Sequence, residues 1–191
     1  LSVFGDNTPV QMTDPEATSV LRFWFEEHCG DWFVKNPAFD NEMRARFLAL
    51  HESAAAGLRA HWAHDTRRCL ALVIVLDQFP RNMFRGEARA FATDPLARAA
   101  ARVILARGWD KAMKHAEQLF AYLPFEHSES LEDQRLSCEL MKDFDAEQLR
   151  YALRHREIIE RFGRFPHRNG LLGRESTAAE IEFLKQPGSS F

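Results

Sequence analysis

The stretch from Cys69 to Leu76, Cys-Leu-Ala-Leu-Val-Ile-Val-Leu, offers water no polar face at any periodicity. It is far shorter than the ~20 residues that span a bilayer, so it has to lie inside a folded protein. A helix buried all round or a strand covered on both faces would satisfy it. The flanks decide between them. No alternating apolar and polar runs lie nearby, and Asp65 stands where a helix N-cap is needed. The pattern predicts a central helix, stopped at Pro80, with Leu72, Ile74 and Leu76 shielded from water.

The rest of the chain then has to cover that helix, and its punctuation is helical. Asp14-Pro15 and Asp94-Pro95 each put a capping carboxylate before a proline at the first helical position, where the missing N–H is harmless. From Pro15 the apolar positions Val20, Leu21, Trp24 and Phe25 run toward Gly30 as a stop, and Trp32-Phe33 form a link before Asn36-Pro37. Met43, Phe47, Leu50 and Ala54 recur at helical spacing after Asp40, as do Leu96, Ala99, Ala100, Val103 and Ile104 after Pro95. A short helix from Asp110 ends near Pro124. His127-Ser128-Glu129 opens the next, which carries Leu136, Leu140 and Phe144. Another follows from Ala146, and a last one starts at Thr177, where Thr177-x-x-Glu180 has capping-box spacing. Residues 1–12 and 186–191 read as tails.

Short helices joined by tight turns predict an all-α, single-domain protein of stacked antiparallel helical hairpins. The material for a core is present: 46% of the 191 residues are hydrophobic, with 16 Phe and 4 Trp. A formal net charge of −3 argues against a general nucleic-acid binder. Cys29, Cys69 and Cys138 are odd in number and lack C-x-x-C spacing, which fits reduced, buried thiols better than disulfides or zinc. With no basic n-region and no apolar h-region in residues 1–12, the expected location is the cytoplasm, away from membranes.

Polar chemistry concentrates between Arg161 and Ser176, where Arg161, Arg164, Arg168, Arg174 and His167 stand among glycines around Pro166. A shorter echo runs from Phe79-Pro80-Arg81-Asn82 to Gly86. Both read as helix-ending turns that should meet in one polar cluster with an acidic partner such as Asp77, Glu129 or Glu175. Guanidinium groups on a proline-fixed backbone are preorganised to bind carboxylate or phosphate in bidentate fashion. The candidate ligand-binding residues are Gln78, Arg81, Asn82, His127, Arg164, His167, Arg168, Asn169 and Arg174, and the expected partner is a small anion or an acidic peptide end. Two other readings compete. The arginines can cap helix C-termini, worth ~0.3–1 kcal/mol each, and pair with Asp77, Glu129, Asp133 or Glu175 as a purely structural scaffold. Alternatively the protein is an enzyme in which His127 or His167 is the acid/base for an anionic substrate.

Other chemistries find less support. Ser128 beside His127 invites a nucleophile reading, but neighbours at a helix start diverge, and Ser128 fits better as an N-cap with Glu129 at the positive end of the dipole. Gly-x-Ser-x-Gly is absent. His51, His61, His64 and His115 are scattered, no H-E-x-x-H occurs, and His155 lies on an apolar stripe, so no metal is expected. No phosphate-binding glycine motif follows a strand, and no cofactor is expected.

Several of these segments together resemble a known bacterial family. They are Val20-Leu21-Arg22-Phe23-Trp24-Phe25, Trp32-Phe33, Phe39-Asp40, Leu76-Asp77-Gln78-Phe79-Pro80-Arg81-Asn82, Tyr122-Leu123-Pro124-x-x-His127-Ser128-Glu129 and Arg161 to Thr177. The family is catalogued as domain of unknown function 924. The likeness covers nearly the whole chain and implies a tetratricopeptide-like all-helical fold. It carries over no activity, cofactor, partner or catalytic residue.

Overall fold

The computed structural model describes residues 14–190; the tail expected over 1–12 lies outside them. The described residues form helices and turns without strands. Three of the expected caps form. Asp14 accepts the N–H groups of Glu16 and Ala17 ahead of α1 (Pro15–Arg22), and Asp65 accepts that of Arg68 ahead of α3 (Thr66–Val73). Thr177 and Glu180 close a reciprocal capping box on α9 (Ala178–Leu184). Asn36 caps α2 (Pro37–Ala55).

The central helix is α3, and every residue from Cys69 to Leu76 is buried. It packs against α1, α5 (Asp94–Ala106) and α6 (His115–Glu126). Trp24, Trp62, Phe23, Phe39, Phe79 and Phe120 fill the space around it. Farther along the chain α7 (Leu131–Leu140) packs on α6, and α8 (Ala146–Phe162) packs on α7. Ile158, Ile159, Phe165 and Phe183 form a second, smaller buried cluster under α9.

Pro80 does not stop the central helix. After Val73 the backbone widens into a π turn, Ile74–Gln78, in which Phe79 N–H bonds the Ile74 carbonyl, and continues as α4 (Phe79–Met83). Proline has no N–H to give to Leu76 or Val75, and an unpaired buried carbonyl is costly. Side chains from elsewhere supply the donors: Thr93 Oγ1 bonds the Leu76 carbonyl at 2.6 Å and His51 Nδ1 the Val75 carbonyl at 2.9 Å. Arg81 Nη1 bonds the next carbonyl, that of Asp77, at 2.6 Å. The first of the two expected turns is therefore a continuing helix, and the chain reverses only near Gly86, at φ +81°. A second π turn, Phe23–Glu27, ends the first helix before Gly30, which is not a left-handed stop.

Other local expectations are also corrected. Pro124 lies within α6, which runs on to Glu126. Ser130, not Ser128, is the N-cap position of α7; Ser128 accepts the Ser130 N–H and donates its hydroxyl to Asp133 at 2.7 Å. Among the three free cysteines Cys29 is exposed, while Cys69 and Cys138 are buried. Residues 186–190 fold back, with Ser189 Oγ donating to the Leu184 carbonyl. No helix among the described residues is long and apolar enough to cross a membrane.

Candidate functional site

The polar residues singled out in the sequence converge where the π turn, the start of α5, the end of α6 and the 3-10 turn Pro166–Arg168 meet. Asp94 is the joint. Expected to cap α5, it instead turns its carboxylate inward, because Thr93 and not Asp94 holds the N-cap position. Asp94 accepts Arg81 Nη1 and Nη2 at 2.9 and 3.0 Å, and Arg168 Nη1 at 3.5 Å. The two arginines do meet, on a carboxylate supplied by a third segment.

Asp77 is fully buried beneath Arg81 and His127. His127 Nδ1 lies 2.9 and 3.0 Å from its two carboxylate oxygens, Gln78 Nε2 donates to it at 2.5 Å, and Arg81 Nη1 stands 3.4 Å away. Burial pushes the Asp77 carboxyl up, but the charges of Arg81 and His127 outweigh burial and hold it well below the usual carboxylate range. Burial, reinforced by Arg81, lowers the His127 imidazole despite Asp77. Arg168 Nη1 also bonds the His127 carbonyl at 3.1 Å.

Arg168 itself is clamped. Its guanidinium lies 4.6 Å from the Phe91 ring centre and 4.4 Å from that of Phe165. Burial, then the neighbouring Arg81 charge, brings it down to about 10. Glu129 fixes this turn to the residues ahead of α7: it accepts the Phe165 N–H at 2.8 Å and both terminal nitrogens of Arg174 at 2.8 and 3.0 Å. Behind His127 lie Glu126, His155 and His167. Burial and the Asp77 charge push Glu126 up to about 8. Burial takes His155 down to about 3, and burial with the Arg168 charge takes His167 down to about 4. His155 is a hydrogen-bonded core residue, as its stripe suggested, with Nδ1 2.9 Å from the Tyr151 carbonyl.

Arg81, His127 and Arg168 thus share one cluster, with Gln78 reaching it through Asp77, and His167 and Arg174 beside it. Asn82 and Arg164 lie apart: Asn82 is bonded by Arg85, and Arg164 forms a bidentate pair with Glu180. Asn169 donates to Ser176 Oγ within its own loop. Sequence reasoning missed Asp94 and Glu126. Asp94 looked like a cap, and nothing local marks Glu126, since its shift comes from tertiary burial. Elsewhere, Glu27, His28 and Glu42 bring ligand atoms within 4.8 Å of one another, but Arg46 bonds both carboxylates, at 2.7 and 2.9 Å.

The all-helical architecture and this arginine–carboxylate–histidine cluster define a helical protein with a buried ionic centre. The family described as "Bacterial protein of unknown function (DUF924)" matches residues 20–188, and the chain belongs to that family. Among solved structures it is similar to a protein of unknown function from Agrobacterium tumefaciens. The two are 44% identical with a TM-score of 0.85, over 88% of this chain and 96% of that one. No curated protein matches.

Proposed function

We propose that the protein binds a small anion, a phosphate or carboxylate group, at Arg168 beside Arg81 and His127. The observation that supports this reading is the state of Arg168. Its side chain is only 7% exposed, yet its one carboxylate contact is long and goes to an oxygen that Arg81 already holds. Nε is buried without a hydrogen-bond partner, and Nη2 makes no hydrogen bond among the described residues. A desolvated guanidinium so weakly compensated is stabilised by any anion that reaches it. A side chain this deeply buried suits a small group better than an extended peptide, whose backbone would need an open face.

The test is a thermal melt of wild type and Arg168→Lys with phosphate, sulfate or malonate. Lysine keeps the charge and loses the planar fork. Phosphate or malonate should raise the wild-type melting temperature, by an amount worth ~2.7 kcal/mol at a hundredfold excess over Kd, and should do little for the variant. If no anion stabilises the wild type and Arg168→Lys alone costs ~3–5 kcal/mol, the cluster is an internal lock and the binding reading fails.

A further inference from the structure

We infer that His127 is the general base of this site, with Nε2 taking a proton from water as that water attacks an anionic ester held at Arg168. The inference rests on the binding reading above and adds a reaction to it.

The geometry assigns the tautomer. An ionised carboxylate can only accept hydrogen bonds, so the nitrogen facing Asp77, Nδ1, carries the hydrogen. In the neutral ring the lone pair then belongs to Nε2. That atom makes no hydrogen bond among the described residues and is not sealed off, the side chain being 16% exposed. Asp77 is fixed in turn by Gln78 and Arg81, and the His127 backbone by Arg168. An imidazole oriented by a buried carboxylate, with its second nitrogen open, is the arrangement general-base catalysis requires.

The hydroxyl next in sequence, Ser128, gives its hydrogen to Asp133 and not to His127. Water is taken as the nucleophile. In the step, the water oxygen bonds to the phosphorus or acyl carbon while its proton passes to Nε2. The ester oxygen then leaves with the electron pair of its bond; at an acyl carbon it takes that proton back, and at phosphorus, where it departs on the far side, it takes a proton from solvent while Nε2 releases its own. The imidazolium formed between is held by Asp77, and the developing negative charge lies beside Arg168 and Arg81. The groups facing the ring fit this assignment: Asp77 and Arg81 from the π turn and α4, Asp94 from α5, and Glu126 from α6. His155 from α8 lies with its ring centre 6.5 Å away, and His167 and Arg168 come from the 3-10 turn.

Diethyl pyrocarbonate, which acylates the free lone pair of a neutral imidazole, tests the inference on the intact protein. Peptide mass mapping should find His127 modified at Nε2 along with the exposed His61 and His64. The His127 rate should titrate with a midpoint below the ordinary imidazole value, and saturating phosphate should slow it at least tenfold while leaving the rates of His61 and His64 unchanged. In Asp77→Asn, which removes the carboxylate that fixes the ring, the His127 rate should no longer follow that profile. A His127 that stays unmodified while His61 and His64 react overturns the inference. If phosphate raises the melting temperature but leaves His127 unprotected, binding stands and the base assignment falls. If phosphate neither stabilises nor protects, the binding reading falls and takes this inference with it.

Discussion

Replacing Asp94 by Asn keeps shape and removes the one charge that Arg81 and Arg168 share. Its side chain is 8% exposed, so the two guanidiniums left behind cannot recover full hydration. Breaking a buried ion pair from one side costs ~3–5 kcal/mol. Arg81 keeps its contacts to Asp77, so the expected loss lies near the lower end. For a chain of 191 residues, each kcal/mol moves the melting temperature by ~2–4 °C, which gives a fall of ~6–12 °C. The same variant should be rescued by added phosphate or malonate more strongly than wild type, since the two guanidiniums are left without the counter-charge they shared. Differential scanning fluorimetry at low salt, with and without each anion, reads both effects. A loss below ~1 kcal/mol, the scale of an exposed pair, would refute the claim that Asp94 compensates two buried charges.

Three further expectations follow from the same structure. Thr93→Val should cost ~1–3 kcal/mol in urea melts, because the Leu76 carbonyl freed by Pro80 loses its donor; a neutral effect would mean that carbonyl is satisfied otherwise. His127, His155 and His167 titrate below their ordinary value in the fold, so the stability they contribute is complete above about pH 6.5 and is lost on acidification. Glu126, raised to about 8, works the other way: its contribution is complete below about pH 4.3 and is lost as the pH rises toward 8. Between pH 6 and 5 the protons of His155 and His167 less that of Glu126 leave a net one, or ~1.4 kcal/mol lost per pH unit, to which His127 adds in the same direction, and Glu126→Gln should steepen the two-histidine slope to ~2.7; a flat profile in wild type would sink the assignment. Iodoacetamide should label exposed Cys29 in the native protein and spare Cys69, whose thiol burial pushes up to about 12; rapid labelling of Cys69 would contradict the central packing of α3.

Features whose cause is local were legible in the sequence. The α3 stretch could be read because every neighbour within a turn is apolar, and the caps at Asp14, Asp65 and Thr177 because cap and capped N–H lie within three residues. Pro80 was misread because its rescue is tertiary: Thr93 and His51 arrive from 17 and 24 residues away along the chain. Asp94 misled for the same reason, its carboxylate being drawn off the helix end by arginines 13 and 74 residues distant. The convergence of Arg81 and Arg168 was foreseen from the echoed Phe-Pro motifs, although the first of them proved to be helix and not turn. Ser128 shows the opposite limit: the residue type was right for a cap, and the position was off by two.

The π turn at Ile74–Gln78 gives the central helix a genetic signature. A π turn holds one residue more than the α-helical turn it replaces, and each α-helical residue advances the backbone by about 100°. Losing a single codon within it would let α3 run straight on. Cys69 to Val73 would keep their seats in the core, and Arg81 would keep its bearing toward Asp94, because the narrower turn covers the same arc with one residue fewer. The wide turn and the ionic centre are therefore separable by one in-frame deletion, and a lineage that had straightened the helix while keeping the centre would carry that gap.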